Sequence, residues 1–170
     1  MTGLQVEAIT TERLVLEPLA MAHAEEMFYV LADPGLYAFT GGAPPTLAEL
    51  LDRYARQLAG PPPGKREVWL NWVLRQRADD RLAGYVQATL ADGGASIAWV
   101  VGAPWQGRGL ATEAAQALVG WLQDHAVDPV TASIHPGHAA SKGVARRAGL
   151  EPTAARDGDE IVWGVRGGPR

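Results

Sequence analysis

The 170-residue sequence contains no cysteine. That excludes disulfide staples, thiolate metal sites and a cysteine nucleophile together, and it fits an expected cytoplasmic location. Positive charge is also scarce: 15 Lys and Arg stand against 19 Asp and Glu, for a formal net charge of −4. A nucleic-acid binder normally carries a basic stripe, so no nucleic-acid partner is expected. No apolar run approaches the ~20 residues that span a bilayer. The opening "MTGLQVEAITTERLVLEPL" has no basic stretch followed by an apolar one. Neither a signal peptide nor a membrane partner is therefore expected.

What is present is an ordinary globular composition, 47% hydrophobic and 20% charged. The length suits a single domain, residues 1–170, able to bury its own core. "RLVLEPL" (residues 13–19) reads as a short strand closed by Pro18. In the segment that follows, Ala20, Ala24, Met27, Phe28 and Leu31 recur at helical spacing. "DPGLY" and "TGGAPP" then interrupt. Thr46 with Glu49 three residues on is a capping box, which opens a helix to about Leu58.

The middle of the chain has strand periodicity. "VWLNWVLRQ" (68–76), "LAGYVQATL" (82–90) and "ASIAWVV" (95–101) are joined by the short turns "ADDR" and "ADGG", which predicts an antiparallel meander. After Gly109 the period becomes 3.6: Ala111, Ala114, Ala115, Leu118, Val119 and Leu122 form a stripe to about His125. "VTASIH" (130–135) is strand-like, "HAASKGVARRAGL" a short helix stopped by Gly149, and "LEPTA" and "EIVWGVR" a closing hairpin around "RDGDE". The predicted class is α+β.

"WQGRGLATEA" (105–114) sits where the meander gives way to the long helix. Its glycines allow close backbone approach, and the first N–H groups of the helix form an anion site with the positive end of the helix dipole. A tight turn before an ordinary helix would use the same residues. A Walker loop needs Gly-Lys-Ser/Thr, absent here. The dinucleotide fingerprint fits poorly: Gly107 and Gly109 match, but Thr112 fills the third position and the next strand ends in His135 rather than an acid.

The pattern Q/R-x-x-G-x-G/A does fit, at Gln106, Gly109 and Ala111. With "WVVGAPWQGRGLATEA", then "IHPGHAASKGVARRAGL", and "RLVLEPLAMAHAEEMFYVLADP" at the start, the chain resembles the GCN5-related N-acetyltransferases over nearly its whole length. It is most similar to the branch that includes ribosomal-protein alanine N-acetyltransferases (RimJ/RimL-like) and many small-molecule acetyltransferases. The resemblance implies a mixed, mostly antiparallel sheet of about seven strands flanked by four helices. It implies acetyl-CoA as cofactor, CoA as product, and direct transfer of acetyl to a primary amine of a small molecule or a protein N-terminus. A monomer or homodimer is expected. A CoA-binding domain without catalysis, and an interaction domain without cofactor, are the other readings.

By the same resemblance, Ala98, Trp99, Val100 and Val101 would line the pantetheine arm. Gln106, Gly107, Arg108, Gly109, Leu110, Ala111 and Thr112 would surround the pyrophosphate. Ser141 matches the serine assigned to the leaving thiolate, and no tyrosine lies between it and Gly149 to take that role. His138 stands where the family usually has Asn, either as a cofactor contact or as an exposed loop residue. The substrate pocket would draw on Tyr37, Phe39, Trp69, Trp72 and Tyr85. No general base is assigned: the central strands carry no acid, Glu113 reads as a helix-start residue, and His135 or solvent-connected water could each serve. His135 and His138 form H-x-x-H without a third ligand, so no metal is expected.

Overall fold

A computed structural model of the chain describes residues 3–165. The first half contains β1 (Ile9–Thr10), β2 (Leu14–Pro18), α1 (Ala24–Val30) and α2 (Leu47–Ala59). The centre contains β3 (Glu67–Gln76), β4 (Leu82–Ala91), β5 (Gly94–Val101) and α3 (Leu110–Asp124). The chain continues through β6 (Val130–Ile134), α4 (Ala139–Arg147), β7 (Leu150–Asp157) and β8 (Glu160–Val165). The strands form one sheet in the order β1-β2-β3-β4-β5-β6-β8-β7. Every pairing is antiparallel except β5 with β6.

The expected α+β class and four α-helices are present, with eight strands among the described residues rather than about seven. The additional strand is β1, two residues paired as Ile9↔Leu16 and Thr10↔Val15. Two residues carry too little periodicity to stand out in sequence. The first expected helix is divided into a 3₁₀ turn at Met21–His23 and α1, and the interrupting "DPGLY" forms a separate 3₁₀ turn at Pro34–Tyr37. Asp33 caps that turn by accepting from the Gly35 N–H at 2.7 Å, just where Pro34 removes a donor. Strand β6 ends at Ile134, so His135 belongs to the following loop. The closing strand is described to Val165, and Arg166 lies outside the described residues.

The turn and cap chemistry matches the sequence elsewhere. Thr46 Oγ1 accepts from the Glu49 N–H (3.1 Å) while Glu49 accepts from the Thr46 N–H (3.4 Å), closing the capping box of α2. Asp92 and Gly93 both have positive φ (51° and 86°), as the tight β4–β5 hairpin requires.

The helices pack as two pairs, α1 with α2 and α3 with α4; α1 lies on β4, and α3 on β5 and β2. On β3, Leu70, Trp72 and Leu74 are buried, and so is Val73 between them, so both faces of the sheet are covered at its centre. Trp72 meets Trp121 of α3 edge-on at 5.4 Å. Val73 pairs with Tyr85 and Asn71 with Gln87, which puts these four side chains on the other face.

One glycine is required by close approach. A Cβ on Gly84 of β4 would stand 2.1 Å from the Val100 carbonyl oxygen of β5. No rotamer relieves a clash with backbone, so the end of β5 owes its position to the bare Cα. Gly84→Ala is expected to destabilise the fold by about 1–3 kcal/mol or more, read as a lower midpoint in urea denaturation.

Candidate active site

Parallel strands β5 and β6 pair only at Ala95↔Val130 and Ser96↔Thr131. Beyond Ser96 they separate, although β5 stays paired with β4 to Val101 and β6 stays paired with β8 to Ile134. Along residues 97–101, every second backbone N–H and C=O therefore faces a gap instead of a neighbouring strand. A cleft of about 780 Å³ occupies this gap, lined by Ala98, Trp99, Val100 and Val101 on one side and by Ala132, Ser133, Ile134 and His135 on the other.

The mouth of the cleft is formed by the turn into α3. Trp105 is buried and carries the Arg81 guanidinium over its ring at 5.3 Å. Gln106 folds back and donates from Nε2 to the Val101 carbonyl at 3.0 Å, tying the loop to the end of β5. Gly107 and Gly109 have φ of +76° and +78°, a left-handed backbone that side chains rarely adopt. Gly109 is the N-cap of α3 and no side chain caps the helix. The N–H groups of Leu110, Ala111 and Thr112 therefore have no intrahelical acceptor, and they carry the positive end of a 15-residue helix.

This turn is clamped from outside the cleft. Glu113 accepts from Thr11 Oγ1 (2.6 Å), the Arg13 N–H (2.9 Å) and Arg13 Nε (2.8 Å), while Arg13 Nη1 donates to the Arg108 carbonyl (2.7 Å). Burial alone would raise the Glu113 carboxyl, but the hydrogen bonds from Thr11 and Arg13 outweigh it and hold it below the usual range. Glu113 is thus a structural anchor, facing the β1–β2 corner.

The opposite wall comes from the β6–α4 loop. Gly137 N–H donates to His135 Nδ1 at 3.0 Å, which occupies that lone pair and places the proton of the neutral ring on Nε2. His138 stacks on Phe39 at 4.4 Å with the rings only 13° apart, and its Nε2 lies 3.4 Å from Ser141 Oγ in the first turn of α4. Burial, then the neighbouring His135, push the His138 pKa down, so its ring is neutral at pH 7. Glu160, at the start of β8, is the one carboxylate lining the cleft among the described residues.

The overall fold has counterparts among solved structures. The acetyltransferase (GNAT family) from Bacillus anthracis superposes with a TM-score of 0.76 at 17% identity, over 94% of this chain and 98% of that one. The acetyltransferase from Agrobacterium tumefaciens str. C58 gives 0.73 at 25% identity, over 98% of each chain. AAC(6')-Ib, solved in complex with paromomycin and acetyl-CoA, gives 0.73 at 19% identity, over 91% of this chain and 93% of that one. No curated protein matches in sequence. The family model described as Acetyltransferase (GNAT) domain matches residues 13–151, so the chain belongs to the GNAT acetyltransferase family.

Most of the residues expected from sequence meet in one place. Ala98, Trp99, Val100, Val101, Gln106, Gly107, Gly109, Leu110, Ala111, His138 and Ser141 all line the cleft, with Tyr37, Phe39 and Tyr85. Four of the expected residues lie outside this lining. Arg108 is exposed and outside the lining; its carbonyl serves the Arg13 clamp. Thr112, in the first turn of α3, is outside the lining, and its part in the expected pyrophosphate site is its free backbone N–H. Trp69 borders neither this cleft nor its neighbour; it lies two residues before Asn71 on β3 and donates to Glu67. Trp72 is fully buried and donates to the Glu7 carbonyl; it lies outside the cleft but borders the smaller cavity beside it. Strand alternation tells faces apart but not how far along a strand a site extends. Sequence reading missed Arg53, Gln87 and Glu160, which look like surface residues of a helix, a strand and a turn.

The Glu113 clamp has a measurable pH signature. A carboxyl held below its unfolded value contributes stability that is present above that value and is lost as pH falls through the folded value. Glu113→Gln is expected to cost about 1–2 kcal/mol at pH 7. In denaturation measured across pH, that difference should disappear under acid conditions, where both proteins carry a neutral side chain.

Proposed function

We propose that the protein is an acetyl-CoA-dependent N-acetyltransferase that moves the acetyl group directly to a primary amine. The observation that carries this reading is that the unpaired edge of β5 and the uncapped N-terminus of α3 open into the same cleft. The two features match the two halves of the cofactor. An extended arm with amide groups can complete the hydrogen bonds that β5 lacks beyond Ser96, as an added strand would. A pyrophosphate suits the N–H groups of Leu110, Ala111 and Thr112 and the helix dipole behind them. The open space around Gly107, where a Cβ would meet nothing within 4 Å, leaves room for phosphate oxygens.

When bound, acetyl-CoA supplies an acetyl group activated as a thioester, with a thiolate as leaving group. The side chains of this protein do the rest. Ser141 Oγ–H donates to the departing sulfur, and His138, neutral and within 3.4 Å, aligns that hydroxyl. His138 thereby takes up the position of the family's usual Asn as a half-buried cleft residue held by Phe39. His135 is unsuited to be the base, because Gly137 already occupies its acceptor nitrogen. Glu160 takes the proton that the amine releases, directly or through one water. With no cysteine in the chain there is no cysteinyl acyl-enzyme to form, which agrees with direct transfer.

Titration with acetyl-CoA is expected to raise the melting temperature saturably; no shift at saturating ligand contradicts the reading. Ser141→Ala is expected to lower turnover about 10–100-fold, the modest end of proton-transfer catalysis because a thiolate leaves readily. Its acetyl-CoA affinity should be unchanged. Glu160→Gln is expected to lower kcat in the same way, and unaltered turnover would remove Glu160 from the mechanism.

A further inference from the structure

The cleft does not stop at the parted strands. Leu31, Arg53, Tyr85 and Gln87 form a wall shared with a second cavity of about 260 Å³ beneath α2. Its floor is the cross-strand pair Asn71↔Gln87 of β3 and β4, with Tyr85 on the same face. Its roof is Arg53, Tyr54 and Gln57 of α2; Arg53 and Gln57 are four residues apart and so share one side of the helix.

The polar lining of this cavity is one-sided. It offers a guanidinium, three carboxamides and two phenols, and no carboxylate. Burial pushes the Tyr54 and Tyr85 phenols up, Arg53 opposing it, so both stay protonated donors. Arg53 is half-buried and has no hydrogen bond or ion pair among the described residues, whereas Arg13 and Arg75 are held by Glu113 and Glu17. A partly desolvated, unpaired cation is costly unless an anion joins it. The planar fork of a guanidinium fits a carboxylate in bidentate fashion. A polyamine would instead meet Arg53 with like charge and find no carboxylate here to pair with.

We propose that this second cavity holds the carboxylate of the acceptor, paired with Arg53, and that the substrate is a small amine bearing a carboxylate, of the amino-acid or short-peptide kind. This rests on the acetyltransferase reading, since it identifies the acceptor of that reaction. Arg53 binds substrate in this account and takes no proton, so its loss acts through KM.

The test uses amino acids and dipeptides beside their C-terminal amides, which keep the amine and lose the charge. In the unchanged protein, the carboxylate forms should be acetylated at least about 10-fold better in kcat/KM, the worth of one charged contact. In Arg53→Gln that preference should fall to near one, through KM. Arg53→Lys, keeping charge without the fork, should be intermediate. Melting of the CoA-loaded protein with N-acetylated carboxylate products gives a readout independent of turnover: stabilisation expected, and lost in Arg53→Gln. Both variants should keep the acetyl-CoA melting shift, which reports an intact fold. Absence of that shift in the unchanged protein sinks the acetyltransferase reading itself. If acetyl-CoA binds but amides are used as well as acids, no acid-bearing member is acetylated, or Arg53→Gln affects acids and amides alike, the carboxylate proposal is wrong and the reading above stands.

Discussion

Strands β5 and β6 pair for two residues and then part, while each remains held by its other neighbour. The cleft follows from that partial pairing. A sheet that opens in its middle exposes backbone donors and acceptors that a closed sheet would satisfy, and a folded protein tolerates this where water or a ligand completes them. The opening is built in from both sides. Gly84 lets β4 grip β5 to its last residue, so β5 cannot swing across to follow β6. Antiparallel β8 holds β6 out to Ile134.

The second requirement is a helix end aimed at the opening. Helix α3 carries its apolar stripe, Ala114, Leu118 and Leu122, fully buried on the sheet. That fixes its axis but not the path of the chain into it. The path is fixed by left-handed glycines, by Gln106 folded onto Val101, and by the Glu113–Arg13–Thr11 cluster behind the loop. Hydrogen bonds to a carboxylate kept ionised are stronger than neutral ones, and here they hold a segment whose own amides are left free. Rigidity outside the cleft thus leaves the amides within it aligned and unused.

The amount legible in sequence tracks the range of the interactions. Capping boxes, Asp-Gly turns and the 3.6-residue stripe are local, and Thr46–Glu49, Asp92–Gly93 and α3 were readable from spacing alone. The glycine loop and Ser141 stood out because their motifs are short and ordered along the chain, and Gly107, Gly109 and Ser141 line the cleft. The expected substrate pocket was legible in part: Tyr37, Phe39 and Tyr85 line the cleft. Trp69 borders neither cavity and Trp72 is buried beside the smaller one, whereas Arg53, Gln87 and Glu160 look like ordinary surface residues until distant segments converge. Position along a strand and convergence across the sheet are set by register and by tertiary packing, and neither leaves a mark at the spacing of a motif.

The most direct check on the central claim is amide hydrogen exchange resolved by residue, with and without saturating acetyl-CoA. Unpaired amides along residues 97–101 and at 110–112 should exchange quickly in the free protein and become protected together when the ligand binds, with the α2 amides little changed. Saturable binding that leaves both segments exchanging as before would contradict the account, because the parted strands and the bare helix end would then not be where the cofactor lies.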